Sequence, residues 1–425
     1  MTGEYKERVA DKLLARKLKG KGAVLIEGAK WSGKTTTAEQ VAKSVVYMTE
    51  PGKSEQNLRL ASINPSRILQ GDKPRLIDEW QVAPQLWDGV RFEVDHGSGL
   101  GSFILTGSSV PADMSKVFHS GTGRFAWLRM RPMTLWESGE STGDVSLRQL
   151  FEGTKVVEGM SKLDLWKVAF AVCRGGWPLS VGMDDDEALD QAFDYIDAVA
   201  QHDIQLSDGI ERDPTRVRRL LRSYARAQGT QASYATLCAD LAANESESFS
   251  ADTVASYLRA LRRIFVIEDT EAWNPNLRSR TAIRTSDTRY FTDPSIATAA
   301  LGLGPNDLIG DLCTFGLVFE TMCMRDLRVY AEALNGHVYH YRDKNGLECD
   351  AVVHLRDGRY GLVEMKLGGD SLIDEGADTL KALSSKIDRS KMREPSFLMV
   401  LTAVGDYAFK MRDGVCIVPI GSLRD

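Results

Sequence analysis

Two groups of residues in this sequence have the types and spacing that phosphate chemistry requires. The first fits the pattern G-x-x-x-x-G-K-[ST] and consists of Gly28, Ala29, Lys30, Trp31, Ser32, Gly33, Lys34 and Thr35, followed by Thr36. Glycines let backbone N–H groups curl around phosphates, and a helix N-terminus adds a favourable dipole. Lys34 is expected to reach the β- and γ-phosphates, and the Thr35 hydroxyl to bind magnesium. This loop (the P-loop) predicts a nucleoside triphosphate site for ATP and Mg²⁺.

A pair of acids follows a short apolar run downstream of the P-loop. Asp78 is placed to hold magnesium, and Glu79 to orient or deprotonate the attacking water. An acidic pair that ends a strand is by itself usually a solvated turn. Its position after a P-loop favours the catalytic interpretation, so the sequence predicts hydrolysis rather than passive binding.

Hydroxyl and arginine side chains further along are candidates for contacting the transferred phosphate. Thr106 and Ser108 end an apolar strand, where either is placed to sense the γ-phosphate, although a hydroxyl-rich turn that caps the strand is an equal alternative. Arg124 lies on a glycine-rich turn and is expected to stabilise transition-state charge, with Arg129 and Arg131 as competitors. If Arg124 acts on the nucleotide of a neighbouring subunit, the protein is a homo-oligomer. A monomer is an equal alternative.

The second group lies near the C-terminus. Glu348 and Asp350 share one face of a predicted strand, and Glu364 and Lys366 share one face of the next. Such pairs can hold Mg²⁺ between Asp350 and Glu364, with Lys366 polarising a water for phosphodiester attack, and Glu320 on the preceding helix adds a carboxylate. Each pair alone is a common solvent-facing alternation, but their order makes a nuclease-type site an equal alternative.

The elements that must position these residues indicate an α/β fold. Short apolar runs such as Ala23–Glu27 and Phe103–Thr106 alternate with helical patterns such as Lys34–Val46, which predicts a parallel sheet. A length of 425 residues favours two or three domains. The predicted divisions are a P-loop domain at 1–140, a helical region at 141–305 and a second α/β domain at 306–425.

The middle region has the outline of a winged helix at about 205–292. Two predicted helices, Tyr234–Ala242 and Ser250–Arg263, precede two strand-like segments, 264–270 and 286–291. The second helix would present its side chains to a DNA groove, namely Tyr257, Arg259, Arg262 and Arg263. From Arg212 to Arg289 there are thirteen arginines, no lysine and nine acids, in a chain of net charge −6. DNA contact and a packing module are equal alternatives for this region.

Composition excludes several classes of protein. With 43% apolar and 26% charged residues, the chain is typical of globular proteins, and no apolar run approaches the length of a membrane span. The charged N-terminus lacks a signal-peptide pattern, so a cytoplasmic location without membrane contact is expected. The six cysteines include no C-x-x-C pair, which argues against a disulfide framework and a zinc site.

These motifs together resemble a family of bacterial and archaeal predicted AAA-type ATPases with a C-terminal domain of uncharacterised function. The matching segments are GAKWSGKTT, RLIDEW, FILTGSS, GTGRFAWLRMRPMTLWE, CRGGWPLS, YFTDPSIA, GLVFETM, GLECDAVV and GLVEMK. The resemblance implies an AAA-like ATPase, a winged helix and a nuclease fold of the PD-(D/E)xK type. It implies ATPase roles for Lys34, Thr35, Asp78 and Glu79, and nuclease-like roles for Asp350, Glu364 and Lys366. The signature proline before the first nuclease acid is absent.

The leading hypothesis is an Mg²⁺-dependent ATPase whose C-terminal domain binds nucleic acid, with DNA favoured. A stronger form of this hypothesis adds cleavage of the nucleic acid by that domain. The alternative is an ATP-switched regulatory or scaffold protein whose nuclease-like domain is inactive and docks a protein partner.

Overall fold

A computed structural model describes residues 5–111, 117–246, 248–274 and 286–425, which form two compact units. The first unit comprises the N-terminal residues to Pro132 together with 199–213 and 258–266, and we call it the P-loop unit. The second unit comprises 133–198, 214–257 and the chain from 267 onward. Residues 141–305, predicted as one helical region, therefore contribute to both units. Arg278, Arg280 and Arg284 of the arginine-rich segment lie outside the described residues.

The P-loop unit is built on a sheet of five parallel strands. The strands are β1 (Ala23–Glu27), β2 (Ser44–Tyr47), β3 (Arg75–Asp78), β4 (Phe103–Gly107) and β5 (Phe125–Arg129). Their order is β2-β3-β4-β1-β5, with β1 paired to both β4 and β5. The three central strands are almost entirely buried, which explains their continuous apolar runs. This confirms the predicted parallel sheet and gathers all strand carboxyl ends at one edge.

Helices of the P-loop unit lie at Val9–Gly20, Lys34–Glu39, Ser54–Ile63, Pro65–Leu69, Leu86–Glu93 and Ile204–Leu206. The helix predicted over 34–46 is wrong in its second half, because it ends at Glu39 and residues Ser44–Tyr47 form β2. The paired β-branched residues Val45 and Val46 favour an extended chain, and they pair with β3.

The second unit contains a mixed seven-stranded sheet. Its strands are β7 (Gly159–Met160), β8 (Gly336–Arg342), β9 (Glu348–Leu355), β10 (Tyr360–Lys366), β11 (Leu398–Thr402), β12 (Tyr407–Lys410) and β13 (Cys416–Pro419), in the order β7-β12-β13-β11-β10-β9-β8. Strands β8, β9 and β10 form an antiparallel meander, and β10, β11 and β13 run parallel. Two short strands, β6 (Val145–Ser146) and β14 (Leu423–Arg424), pair separately.

Helices of the second unit lie at Leu135–Ser138, Leu147–Phe151, Leu165–Arg174, Asp185–Ala198, Pro214–Arg226, Tyr234–Asn244, Pro294–Leu301, Pro305–Gly310, Leu312–Ala333 and Asp370–Lys386. Helix Ala251–Arg263 begins in this unit and ends in the P-loop unit. Helices Leu312–Ala333 and Asp370–Lys386 both pack on strands of the meander. All six cysteines lie in described regions and are free thiols.

The middle segment departs from the predicted winged helix in its strands. Both helices form, but the two strand-like segments are reduced to isolated bridges that join Ile267 to Phe291 and Thr270 to Thr288. Tyr257, predicted to face DNA, is buried and packs edge-on against Phe249. Its aromatic ring stabilises the core rather than presenting a reading surface.

Candidate functional site

The P-loop leaves β1 and turns into the helix that begins at Lys34. Gly33 and Trp31 adopt positive φ angles of 92° and 66°, which curl the backbone into a nest. Gly28 is required by close packing, since a Cβ atom built there would lie 2.0 Å from the carbonyl oxygen of Met130. The local sequence therefore forms the tight turn that phosphate binding needs.

Arg8 immediately precedes the first helix. Its side chain connects the P-loop to the segment that follows β5. Its buried guanidinium donates to the carbonyl oxygen of Ser32 at 3.0 Å and to that of Arg131 at 2.9 Å. Backbone N–H groups that turn toward a ligand leave carbonyl groups facing outward, and these need partners when buried. Arg8 supplies that partner for the middle of the P-loop.

Lys34 is almost fully buried and bends back toward its own loop. Its ammonium donates to the carbonyl oxygen of Ala29 at 2.7 Å. Burial lowers the pKa of Lys34 from its ordinary 10.5 to about 8, although the negative charges of Glu79 and Asp78 oppose this shift. A phosphate at the loop would restore a strong counter-charge to this ammonium.

Asp78 joins three parts of the site that are far apart in sequence. Its Oδ1 atom accepts hydrogen bonds from the hydroxyl of Thr35 at 2.6 Å and from that of Thr106 at 2.7 Å. These are the P-loop hydroxyl, the acid that ends β3 and the hydroxyl near the end of β4. The three side chains form a compact oxygen-rich cluster, the ligand type that Mg²⁺ prefers.

Glu79 is held in a strained backbone conformation directly after Asp78. Its φ of 55° lies in the left-handed region, which is costly for a residue with a side chain. Its Oε2 atom accepts a hydrogen bond from Ser108 at 2.8 Å and one from the amide of Gln81. The carboxylate of Glu79 is therefore fixed at the carboxyl edge of the sheet.

The other predicted nucleotide-site residues differ in their contacts and exposure. Lys30 forms an ion pair with Asp203 at 2.6 Å, and the Ser32 hydroxyl donates to Ala29. Trp31 and Thr36 are exposed on the loop and on the first turn of the helix.

Arg124 does not lie with this site. It precedes β5 at the amino edge of the sheet, where its carbonyl oxygen accepts from Ala23, and its side chain pairs with Asp95 at 2.7 Å. The length of β1 separates that edge from the P-loop by about 15 Å. Its competitor Arg129 ends β5 at the carboxyl edge, 3.3 Å from Glu27 and stacked on Phe265. Arg124 therefore lies at the sheet edge opposite the P-loop of its own chain.

The C-terminal group assembles on β9, β10 and the helix Leu312–Ala333. Lys366 lies 3.3 Å from the buried Glu364 on the same strand. Asp350 on β9 accepts the backbone N–H of Met365 at 2.7 Å, and Glu320 accepts the hydroxyl of Tyr290. Burial and the charge of Asp350 raise the pKa values of both Glu320 and Glu364, while burial raises that of Asp350.

Two features limit what this C-terminal group can do alone. Glu348 is exposed and pairs with Arg342 at 3.0 Å at the rim of the cavity that Glu320 and Asp350 also line. Across the described residues, no three His, Cys, Asp or Glu side chains converge to hold a metal. The cavity beside Glu320 and Asp350 has a volume of about 20 Å³, room for a water molecule.

Several arginines of the middle segment form ion pairs with acidic residues of the same chain. Ion pairs join Arg212 to Asp208, Arg218 to Asp197, Arg226 to Asp240 and Arg289 to Asp269. The local positive balance in the sequence is therefore a poor guide to a phosphate-binding surface.

Several residues at these sites carry no recognisable signal in the sequence. Arg8, Gln81 and Asp203 contact P-loop or catalytic residues, yet none belongs to a motif. Only the fold brings them to their partners.

Comparison with protein families agrees with this geometry at the N-terminal end. Residues 20–138 match a family described as an AAA domain. Residues 165–307 and 315–423 match two families described as domains of unknown function, DUF8612 and DUF4143. The match to the AAA domain covers the P-loop and Asp78, and it supports ATP binding and hydrolysis by this part of the chain.

Relatives match nearly the whole chain. Two proteins described as uncharacterised, from Mycobacterium bovis and Mycobacterium tuberculosis, are 24% identical over 410 residues, which cover 96% of this chain and 82% of each relative. Among solved structures, a Walker-type ATPase of Pyrococcus abyssi has a TM-score of 0.43 at 15% identity, over 70% of this chain and 96% of that one. The Aeropyrum pernix ORC2 protein, solved with ADPNP and ADP, has a TM-score of 0.29 at 13% identity, over 71% and 92%. At these TM-scores neither structure bears on function.

Proposed function

We propose that the chain is an Mg²⁺-dependent ATPase in which Lys34, Thr35, Asp78 and Glu79 carry turnover. The observation that supports it most is the shared contact of Thr35 and Thr106 with Asp78. This contact places the P-loop hydroxyl, an acid and a γ-phosphate-side hydroxyl within one hydrogen-bonded cluster. Thr35 and Asp78 would hold an Mg²⁺ ion there, and the ion would supply positive charge against the negative charge that develops on the phosphates.

Each side chain has a distinct part in this proposal. Lys34 binds the phosphates as a cation, and the backbone nest holds them through N–H groups. Glu79, fixed by Ser108, orients and deprotonates the attacking water. Arg129 ends β5 at the nucleotide edge of the same chain, so it replaces Arg124 as the candidate for stabilising the transferred phosphate.

Phosphate release from ATP tests this part of the proposal. Lys34→Ala is expected to abolish turnover, whereas Arg124→Ala, at the opposite sheet edge, leaves the rate of a monomer unchanged. Turnover by Lys34→Ala at the rate of the unaltered protein would refute the assignment. A loss of activity in Arg124→Ala that grows with protein concentration would indicate an oligomer in which this arginine acts in trans.

A second candidate function is phosphodiester chemistry at the C-terminal carboxylates. It is supported by the geometry of Glu364 and Lys366, 3.3 Å apart on β10, beside Asp350 and Glu320. Ionisation of all three carboxyl groups would leave excess negative charge in a poorly hydrated place, which is why their pKa values are raised, and a divalent cation would favour the ionised forms. The antiparallel meander followed by a parallel β11 also suits the PD-(D/E)xK fold suggested by the resemblance.

This second function would couple ATP turnover to nucleic acid, DNA in the first instance. The rival is an ATP-switched scaffold whose C-terminal domain is inactive and docks a protein, and the internal pairing of the middle arginines favours that rival over direct DNA contact. Plasmid nicking with Mg²⁺ or Mn²⁺ separates the two. Nicking that disappears in Asp350→Ala supports cleavage, and no nicking by the unaltered protein refutes it. DNA retention without nicking, weakening steeply with salt, would leave binding alone.

A further inference from the structure

A short segment from the middle of the chain folds against the P-loop. Residues 199–213 belong to the P-loop unit although about 170 positions separate them from the loop in sequence. A π-helical turn at Val199–Asp203 continues into the helix Ile204–Leu206. π-Helical turns are rare and are frequently found at functional sites. We call residues 199–213 the bracing segment.

The bracing segment is closed on itself by one buried arginine. Arg212 donates two hydrogen bonds to the carboxylate of Asp208, both at 2.8 Å, and further ones to the carbonyl oxygens of Ile204 and Ile210. Val199, Ala200 and Ile204 are buried beneath it. Asp203 therefore projects from a locally rigid turn rather than from a loose loop.

Asp203 points at the P-loop itself. Its Oδ1 atom lies 2.6 Å from the ammonium of Lys30, the third residue of the loop. The Asp203 side chain is 9% exposed, whereas that of Lys30 is 44% exposed. An ion pair with one half-exposed partner contributes little stability, so a stronger anion nearby can displace it.

A triphosphate in the P-loop is such an anion. It would bring several negative charges to the loop that carries Lys30, and the two anions would compete for one ammonium. We propose that Lys30 exchanges Asp203 for a phosphate of the bound nucleotide, so that Asp203 acts as a positioning residue that senses occupancy of the loop. This inference rests on the proposed ATP site.

Release of Asp203 would have a direct route to the rest of the chain. The bracing segment continues without a break into helix Pro214–Arg226 and is preceded by helix Asp185–Ala198, both part of the second unit. Loss of the Lys30 contact loosens the bracing segment and with it the connections to these helices. If the Lys30–Asp203 ion pair instead only stiffens the P-loop unit, the opposite changes in nucleotide affinity and hydrogen exchange are expected.

Affinity for a non-hydrolysable ATP analogue, measured by calorimetry, distinguishes exchange from static stiffening. Asp203→Asn keeps the shape of the side chain but removes the competing charge, so the dissociation constant is expected to fall about two- to fivefold. Lys30→Gln is expected to raise it, and Asp203→Asn in that background to have no effect, because the two residues act as a pair. Asp197→Asn, which removes the exposed pair with Arg218, is the matched control and is expected to change nothing.

Hydrogen exchange supplies the second readout. The analogue is expected to increase backbone exchange across 199–213 in the unaltered protein, whereas Asp203→Asn shows fast exchange there with or without it. Unchanged or weaker binding by Asp203→Asn, or exchange across 199–213 that the analogue slows, would overturn the inference while leaving the ATP site intact. Failure of the unaltered protein to bind the analogue would overturn both, and Lys34→Ala would then bind no differently.

Discussion

The hydroxyl of Thr35 in the P-loop donates a hydrogen bond of 2.6 Å to Asp78 at the end of β3. Thr106 on β4 donates to the same oxygen. One carboxylate therefore connects three neighbouring strand ends, which the sheet order β3-β4-β1 brings together. We therefore expect loss of the negative charge on Asp78 to weaken Mg²⁺ binding more than it weakens the fold.

Asp78→Asn tests this consequence. The amide oxygen still accepts the two threonine hydroxyls, so the fold is preserved, but the charge that attracts Mg²⁺ is gone. We expect ATP turnover to fall on the order of 100-fold, and Mg²⁺ to stop strengthening nucleotide binding in calorimetry. Equal Mg²⁺ dependence in Asp78→Asn and the unaltered protein would place the ion elsewhere.

The pKa of Lys34 predicts how ATP binding depends on pH. Burial lowers this pKa to about 8, so the ammonium loses its proton as pH rises through 8. Phosphate favours the charged form, and binding therefore takes up a proton above this pH. Between pH 7 and 9 we expect the dissociation constant for ATP to rise by up to about tenfold. In Lys34→Ala, binding should be weak and flat across the same range; an equal slope in both proteins would assign the effect to another group.

Ser108 is expected to act through Glu79. It donates to Oε2 of that carboxylate at 2.8 Å, so Ser108→Ala leaves the general base less well oriented. The turnover number should fall about tenfold while the KM for ATP stays unchanged, since no ground-state contact with nucleotide is lost. Ser109→Ala is the neighbouring control, with near-normal kinetics. A KM effect without a kcat effect would mean that Ser108 binds the nucleotide instead.

The raised pKa of Glu364 predicts that its contribution to the free energy of unfolding depends on pH. Burial and the charge of Asp350 raise its pKa above the ordinary 4.5, so the folded chain favours the protonated form. Its contribution to stability is present at low pH and is lost as pH rises. Glu364→Gln should therefore raise the free energy of unfolding at pH 8 by about 1 to 2 kcal/mol, with the gain shrinking toward pH 4.5.

The exposed Glu394, which pairs with Arg389 at 2.7 Å, provides the matched control for that experiment, because Glu394→Gln changes the same chemical group in solvent. Thermal denaturation at pH 5 and pH 8 without divalent ions measures both variants. A destabilised Glu364→Gln at pH 8 would mean that the ionised carboxylate is already compensated within the fold. Stabilisation of the unaltered protein by Mg²⁺, absent in Glu364→Gln, would support a cation at this cluster.

Sequence alone was sufficient for the parts of this molecule that obey local rules. The P-loop pattern, the acid pair after β3 and the strand apolar runs depend on neighbours in the chain, and the parallel sheet follows from their alternation. The edge strand β2 was missed because its few partly exposed residues lack the strong pattern of a buried strand. Its placement depends on pairing with β3.

Long-range placement accounts for the remaining differences. Arg124 follows a glycine-rich turn, and the direction of β5 puts it at the amino edge of the sheet, opposite the P-loop. Asp203 and Tyr290 reach Lys30 and Glu320 across 173 and 30 positions, which no spacing rule anticipates.

The central claim is that this site hydrolyses ATP with Glu79 as the general base. Single-turnover phosphate release by Glu79→Gln, compared with the unaltered protein at saturating ATP and Mg²⁺, tests it most directly. The account predicts that Glu79→Gln binds ATP with near-normal affinity and loses at least about 100-fold in the rate of the chemical step. Phosphate release by Glu79→Gln at the unaltered rate would contradict it.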